Sequence, residues 1–447
     1  MVVRREPFKV NLFDMSSSLP TTWPELRNYA RQMDQKDPLK GFRKQFRIPV
    51  SVDGTEEIYF LGNSLGLQPV RTASAIQEIL EDWANWGVEG FFNGQRPWLQ
   101  FHDRLAQPLA RLVGALPQEV VVMNQLTVNL HLMLVSFYRP TPARYKILCE
   151  RPAFSSDLYM LQTHIRHLGY SPEEVLHFVN PRDGEQHLHI ADVVQAIEQN
   201  AQEIALVLLG GVNYYTGQRL DMRTITAAGH AAGAKVGFDL AHAVGNVPLQ
   251  LHDWNVDFAC WCSYKYLNAG PGAVAGAYIH ERYHQADLPR LGGWWGHETA
   301  SRFLMPPDFH PTPSAEGWQL STPPLLLYAA LQASLELFEE AGIGQLHQKQ
   351  QTLTGFLWQV LEAVQKHTAA RSFEIITPAS PEQQGCQVSL HFIDRGKTVF
   401  DRLMAKNIRV DWREPEVIRL APVPFYNCYD EICRFGESLQ TILNELK

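Results

Sequence analysis

The sequence predicts an α/β protein with a large domain around a mainly parallel central sheet and a smaller α+β domain at the C-terminus. Three observations predict it. Short runs at 120–123, 145–149, 204–209, 235–240 and 258–262 are apolar throughout, without polar alternation, as strands buried on both faces are. Between them lie segments with apolar residues at helical spacing, such as 190–201 and 224–232, and strand, helix, strand in series builds a parallel sheet. After a proline-rich stretch at 306–317 the order changes. Two helical patterns (325–341 and 345–364) lead into short strands at 374–377, 387–393, 408–411 and 418–420, then a last helix near 432–446. A chain of 447 residues exceeds one ordinary core. The division expected is an N-terminal arm contributing to the small domain (1–57), a large domain (58–320) and a small domain (321–447).

Composition narrows the function. The chain is 45% hydrophobic and 19% charged, an ordinary globular balance. Its formal net charge of -8, with no basic run, argues against nucleic-acid binding. No apolar stretch is long enough for a membrane span. Residues 1–20 lack the charged-then-apolar order of a secretory leader, and a short helix is expected over 23–35. The six cysteines sit mostly in apolar segments and have no zinc-knuckle spacing, so they read as reduced and buried. The expectation is a soluble cytoplasmic enzyme with no metal.

Lys265 follows directly on an apolar run and precedes a Gly/Pro turn, at the carboxyl end of a predicted strand. Open α/β sheets bind ligands there, and an amine among apolar and aromatic neighbours is the setting of a Schiff-base lysine. A surface lysine at a strand end is the plainer alternative. Asp239 ends the preceding apolar run, where a carboxylate needs a partner. A pyridinium nitrogen would supply one, although a helix N-cap also fits. His242, three residues on, could cover the cofactor ring. The turn after 120–123 leads into an apolar helical segment whose first N–H groups, with the Thr127 hydroxyl, would cradle a phosphate. Phe154 could stack on the ring, with Asp157 nearby. Arg419, inside an apolar strand of the second lobe, should face an anion: a substrate carboxylate or a structural ion-pair partner.

Together these stretches resemble kynureninase, within the fold-type I enzymes that use pyridoxal 5'-phosphate (PLP). The resemblance rests on Gly62-Asn63-Ser64-Leu65-Gly66-Leu67-Gln68-Pro69, Arg96-Pro97-Trp98, Leu126-Thr127-Val128-Asn129-Leu130-His131 and Tyr215-Thr216-Gly217-Gln218. It continues through residues 237–245, His252-Asp253-Trp254, residues 257–270, Trp294-Trp295-Gly296-His297-Glu298 and residues 419–427. It implies that Lys265 carries the cofactor and that Asp239 pairs with its ring nitrogen. Leu126, Thr127 and Tyr264 would surround the phosphate, joined by Trp294 and Thr322 from a dimer partner. Phe154 would stack on the ring, Asp157 would lie at its edge and His242 beside it. Arg419 would hold the substrate α-carboxylate. The reaction implied is hydrolysis of the Cβ–Cγ bond of L-kynurenine, or of 3-hydroxy-L-kynurenine, to anthranilate or 3-hydroxyanthranilate and L-alanine, in tryptophan degradation and NAD biosynthesis. Lys265 would move the α-proton and Tyr264 a proton to the released carbon.

Two positions depart from the animal-type pattern: Thr322 stands where asparagine is usual, and Phe91 where histidine is usual. Both border the aryl end of the substrate in the family, so the loss of polar partners favours kynurenine over its hydroxylated form. A cysteine desulfurase on the same scaffold is the nearest competing expectation. It would need a nucleophilic cysteine in the second half of the chain, and none stands between Cys262 and Cys386.

Overall fold

The computed structural model describes residues 22–94, 96–368 and 372–446. The stretch 1–20, read above for a leader, therefore lies outside the described residues. Strand β1 (Ile58–Tyr59) precedes a seven-stranded sheet built from β2 (Val120–Val122), β3 (Lys146–Glu150), β4 (Leu176–Val179), β5 (Ile204–Gly210), β6 (Lys235–Asp239), β7 (Phe258–Trp261) and β8 (Gly276–Ile279). Their spatial order is β2-β8-β7-β6-β5-β3-β4. Neighbours from β4 to β7 pair in parallel, while β8 runs antiparallel to both β7 and β2. No helix connects β7 to β8, so the chain turns back instead of crossing over. The loop making that turn carries Lys265.

All five apolar runs form strands. Sequence reading missed β4 and β8. β4 is an edge strand, mostly half-buried, with a histidine in its middle. β8 opens on Gly276, a poor strand former, because a Cβ there would stand 2.4 Å from the Trp261 ring on the neighbouring strand.

The helices are α1 (Trp23–Lys36), α2 (Thr72–Trp86), α3 (Phe101–Val113), α4 (Leu126–Phe137), α5 (Ser155–His167), α6 (Pro172–Val175), α7 (Ile190–Gln199), α8 (Met222–Ala231), α9 (Leu325–Ala341), α10 (Ile343–His367), α11 (Gly396–Ala405) and α12 (Tyr429–Glu445). Alternate strand residues enter two layers. Ala259 and Trp261 join one core with α3, α8 and α9, and Phe258 and Cys260 join the other with α4 and α5. This two-sided burial explains the unbroken apolar runs.

A third core lies in the C-terminal part. There β9 (Phe373–Ile375), β10 (Val388–Phe392), β12 (Asp411–Arg413) and β13 (Val417–Leu420) form an antiparallel sheet ordered β12-β13-β10-β9. Helices α1, α10 and α12 pack with it, through Leu26, Leu357 and Leu439 among others. β11 (Ile408–Arg409) pairs in parallel with β1, so the strand expected over 408–411 divides between two sheets. α9 packs instead into the core that α2 and α3 cover.

Gly66 ties the two parts of the chain to the Lys265 loop. Its N–H donates to the Tyr264 carbonyl at 2.8 Å. A Cβ would meet the Lys265 carbonyl at 2.3 Å and the Asn268 Cα at 2.8 Å, and backbone cannot yield as a flexible side chain would. Gly66→Ala is therefore expected to destabilise the fold by about 1–3 kcal/mol. Chemical denaturation of the two proteins measures this, and equal midpoints would show that the loop adapts.

Candidate functional site

The carboxyl ends of β2, β3, β5, β6 and β7 converge on a cavity of about 200 Å³, the position where open α/β sheets bind ligands. Each strand end contributes through the turn that follows it. After β2 the chain enters α4 and brings Leu126 and Thr127. After β3 it enters α5 and brings Phe154, Ser156 and Asp157. β6 ends on Asp239 and leads to His242, and β7 leads to Tyr264 and Lys265.

Asp239 is buried, and its Oδ1 accepts the Ala241 N–H at 2.7 Å. Its carboxyl is hydrogen-bonded to that of Asp157. Burial pushes both carboxyls above their ordinary values, Asp157 far above, because the negative charge of Asp239 adds to the burial. Two carboxylates this close cannot both ionise. The pair therefore holds one proton between its two carboxyls and one negative charge.

Lys265 Nζ lies 3.0 Å from His242 Nε2. Burial first, then the lysine's charge, holds His242 well below its ordinary value. It is thus neutral, and its ring nitrogen can accept from the lysine Nζ. The lysine also sits 5.9 Å from the Phe154 ring centre and 5.8 Å from that of Tyr264. Burial raises the Tyr264 phenol, which keeps its proton.

In the same lining, Thr127 Oγ1 and Ser156 Oγ lie 3.0 Å apart. This contact joins the N-termini of α4 and α5, whose N–H groups and positive dipole ends favour an anion. The residues present therefore fit PLP: helix N-termini that would take its phosphate, a buried carboxyl pair that would hold a protonated ring nitrogen, and an amine line one cavity.

Eight of the expected site residues thus line one cavity: Leu126, Thr127, Phe154, Asp157, Asp239, His242, Tyr264 and Lys265. Four lie outside that lining. Phe91 packs against Trp98 and Trp295, with ring centres 5.3 and 6.0 Å away. Trp294 is 43% exposed, and Thr322 is exposed too. Arg419 is fully buried and bonds Asp411 of β12, so the structural ion pair considered for it exists. Burial lowers its guanidinium from the ordinary value, and Asp411 opposes that.

Sequence reading missed Glu150, Ser156 and Tyr214, which also line the cavity. Glu150 was legible in principle, since it ends an apolar run as Asp239 does. Ser156 and Tyr214 carry no such local signal. Glu150 accepts the Gly210 N–H at 2.8 Å, and burial, reinforced by Asp239, pushes its carboxyl up from 4.5 to about 8. Between those values the folded protein holds a proton that the unfolded chain has released, so this group costs stability as pH rises. The stability of the apoprotein Glu150→Gln variant relative to wild type should therefore increase from pH 4.5 to about 8. Thermal midpoints across that range measure it, and a constant difference would show that Glu150 titrates normally.

The family described as "Kynureninase C-terminal domain" matches residues 346–439. Solved structures of similar shape include a cystine C–S lyase bound to cysteine persulfide, 20% identical, with a TM-score of 0.71 over 86% of this chain and 97% of that one. They also include the cysteine desulfurase CsdA of Escherichia coli, 16% identical, with a TM-score of 0.71 over 91% and 98%. These two show the fold. Among curated relatives, a kynureninase of Koribacter versatilis is 51% identical over 418 residues, 93% of this chain and 98% of that protein. A kynureninase of Flavobacterium johnsoniae is 50% identical over 420 residues, 94% of this chain and 98% of its own length. With half of its residues shared along almost its whole length, and with the cavity that such an enzyme requires, the chain belongs to the kynureninase family.

Proposed function

We propose that this protein hydrolyses the Cβ–Cγ bond of L-kynurenine, with water as co-substrate, to anthranilate and L-alanine. One observation carries the reading: Lys265, the Asp239–Asp157 pair and the α4 N-terminus share one cavity in a chain half identical to kynureninases. Bound PLP supplies a carbonyl for the substrate amine and a ring that takes up the electrons left at Cα.

The chain's own groups do the rest. The Leu126 and Thr127 N–H groups hold the phosphate, and Phe154 covers the ring. Asp239, which shares one negative charge with Asp157, would hold a proton on the ring nitrogen. Lys265, with neutral His242 beside it at 3.0 Å, moves the α-proton. The Tyr264 phenol, which burial keeps protonated, donates to the carbon released from the aryl ketone. Arg419 orients the substrate through its α-carboxylate.

The reading extends to assembly and place. Trp294, Phe303 and Phe92 form an exposed aromatic cluster, with Trp294–Phe303 and Phe92–Phe303 ring centres 5.7 and 6.0 Å apart. Such a patch supports a homodimer in which Trp294 and Thr322 reach the partner's phosphate. We read 58–320 as a large domain and 321–447 as a small one, except that α9 packs with the former, and α1 joins the latter. No helix among the described residues is long and apolar enough to cross a membrane. The cysteines are free, which suits a reducing compartment such as the cytoplasm.

The purified protein should show cofactor absorbance in the visible range and form anthranilate and alanine together from L-kynurenine. Lys265→Ala should abolish both the lysine-linked absorbance and turnover. Bound cofactor without anthranilate would reject the substrate, and absence of cofactor after reconstitution would reject the site. Phe91, packed against Trp98 and Trp295, has itself no hydroxyl or ring nitrogen to offer a ring hydroxyl. We therefore expect kcat/KM to favour kynurenine over 3-hydroxykynurenine by about tenfold, roughly the effect of leaving one hydroxyl unpaired. A preference for the hydroxylated substrate would refute that role for Phe91.

A further inference from the structure

Strands β12 and β13 bring three charged side chains together at the edge of the cavity. Asp411 Oδ2 accepts from Arg419 Nη2, from Arg413 Nη2 at 3.2 Å and from the Ser64 hydroxyl. Arg419 Nη1 donates to the Tyr214 carbonyl at 2.6 Å, and Tyr214 lines the cavity. One carboxylate thus serves two guanidiniums, leaving one positive charge without a counter-ion within the cluster.

Hydrogen bonding is incomplete in the same way. The Nε atoms of both Arg413 and Arg419 are buried and have no partner. A buried donor left unmade costs about 1–3 kcal/mol, so two of them beside an excess positive charge point to an anionic ligand. His242, also at the cavity, cannot supply that anion, since it is neutral, and the charges of Arg419 and Arg413 add to the burial that keeps it so.

Resting on the reading that Arg419 meets the substrate α-carboxylate, we infer that Arg413 is a second guanidinium of that subsite and that Asp411 is the positioning residue that holds both. The carboxylate would displace neither arginine from Asp411. It would take the donors that Asp411 leaves free, and its charge would balance the surplus. Asp411 fixes the spacing of the pair, because it lies two residues from Arg413 on β12 and pairs in register with Arg419 on β13. The Ser64 hydroxyl, from the Gly62–Pro69 motif, also donates to Asp411 and so fixes its carboxylate.

The test compares L-kynurenine with its carboxamide, in which the α-carboxylate is neutral, using the PLP-loaded enzyme. Arg413→Gln should raise KM for kynurenine by about tenfold or more while kcat changes by less than about threefold. KM for the carboxamide should move by less than about twofold in the same variant. Arg413→Lys should restore part of the loss, and Asp411→Asn should show the same carboxylate-dependent rise, partly rescued by Asp411→Glu. Cofactor absorbance and thermal midpoint report whether each variant is folded, and Arg413→Lys preserves the test if Arg413→Gln does not fold. An unchanged KM for kynurenine, or an equal rise for acid and amide, would overturn the inference. Arg419→Gln separates the two levels. If it shows the carboxylate-dependent loss and Arg413→Gln does not, only the role of Arg413 falls. If neither shows it, the carboxylate binds elsewhere and the reading of Arg419 falls as well.

Discussion

The structure is organised around a pair of carboxyls that share one charge where water is scarce. Asp239 ends a strand buried on both faces, and burial raises its carboxyl above the ordinary value. Asp157, which reaches Asp239 from the first turn of α5, is raised as well, so the two hold one proton between them. A third carboxyl, Glu150, stands close enough for the charge of Asp239 to raise it further. The sheet thus concentrates acidic groups at one edge while allowing few of them to ionise. What remains is a buried acidic pair, and the lysine loop, the N-termini of α4 and α5 and Phe154 line the same cavity around it.

That arrangement depends on the sheet's connectivity. Parallel strands deliver their carboxyl ends to one edge, so Asp239, Glu150 and the starts of α4 and α5 meet although residues 126 and 239 are far apart in sequence. The reversed strand β8 lets the loop after β7 double back over the same edge with Lys265 on it. Gly66 fits under that loop because it has no side chain, and so the segment after β1 is keyed to the Lys265 loop.

The C-terminal antiparallel sheet meets the cavity lining through arginine. Arg413 on β12 and Arg419 on β13 both bond Asp411, and Arg419 reaches the carbonyl of Tyr214, which lines the cavity. A cationic group at a junction between domains can bind an anionic substrate and also draw the two domains together, which ties recognition to the geometry of closure.

Much of this was legible in the residues. Unbroken apolar runs identified five strands of the central sheet, since two-sided burial leaves no polar alternation. The functional groups at their ends, Lys265 and Asp239, were legible because a charge after an apolar run needs a reason. The same logic applied to Glu150 would have found it. Tertiary structure alone decided the rest. It paired Asp157 with Asp239, because a shared proton depends on a contact between residues 82 positions apart. It placed β8 antiparallel, made the 408–411 run part of two sheets, and turned Arg419 toward Asp411 as well as toward the cavity edge. Local sequence specifies which groups are costly to bury; only the packed chain determines which of them are buried together, and hence which carries the charge.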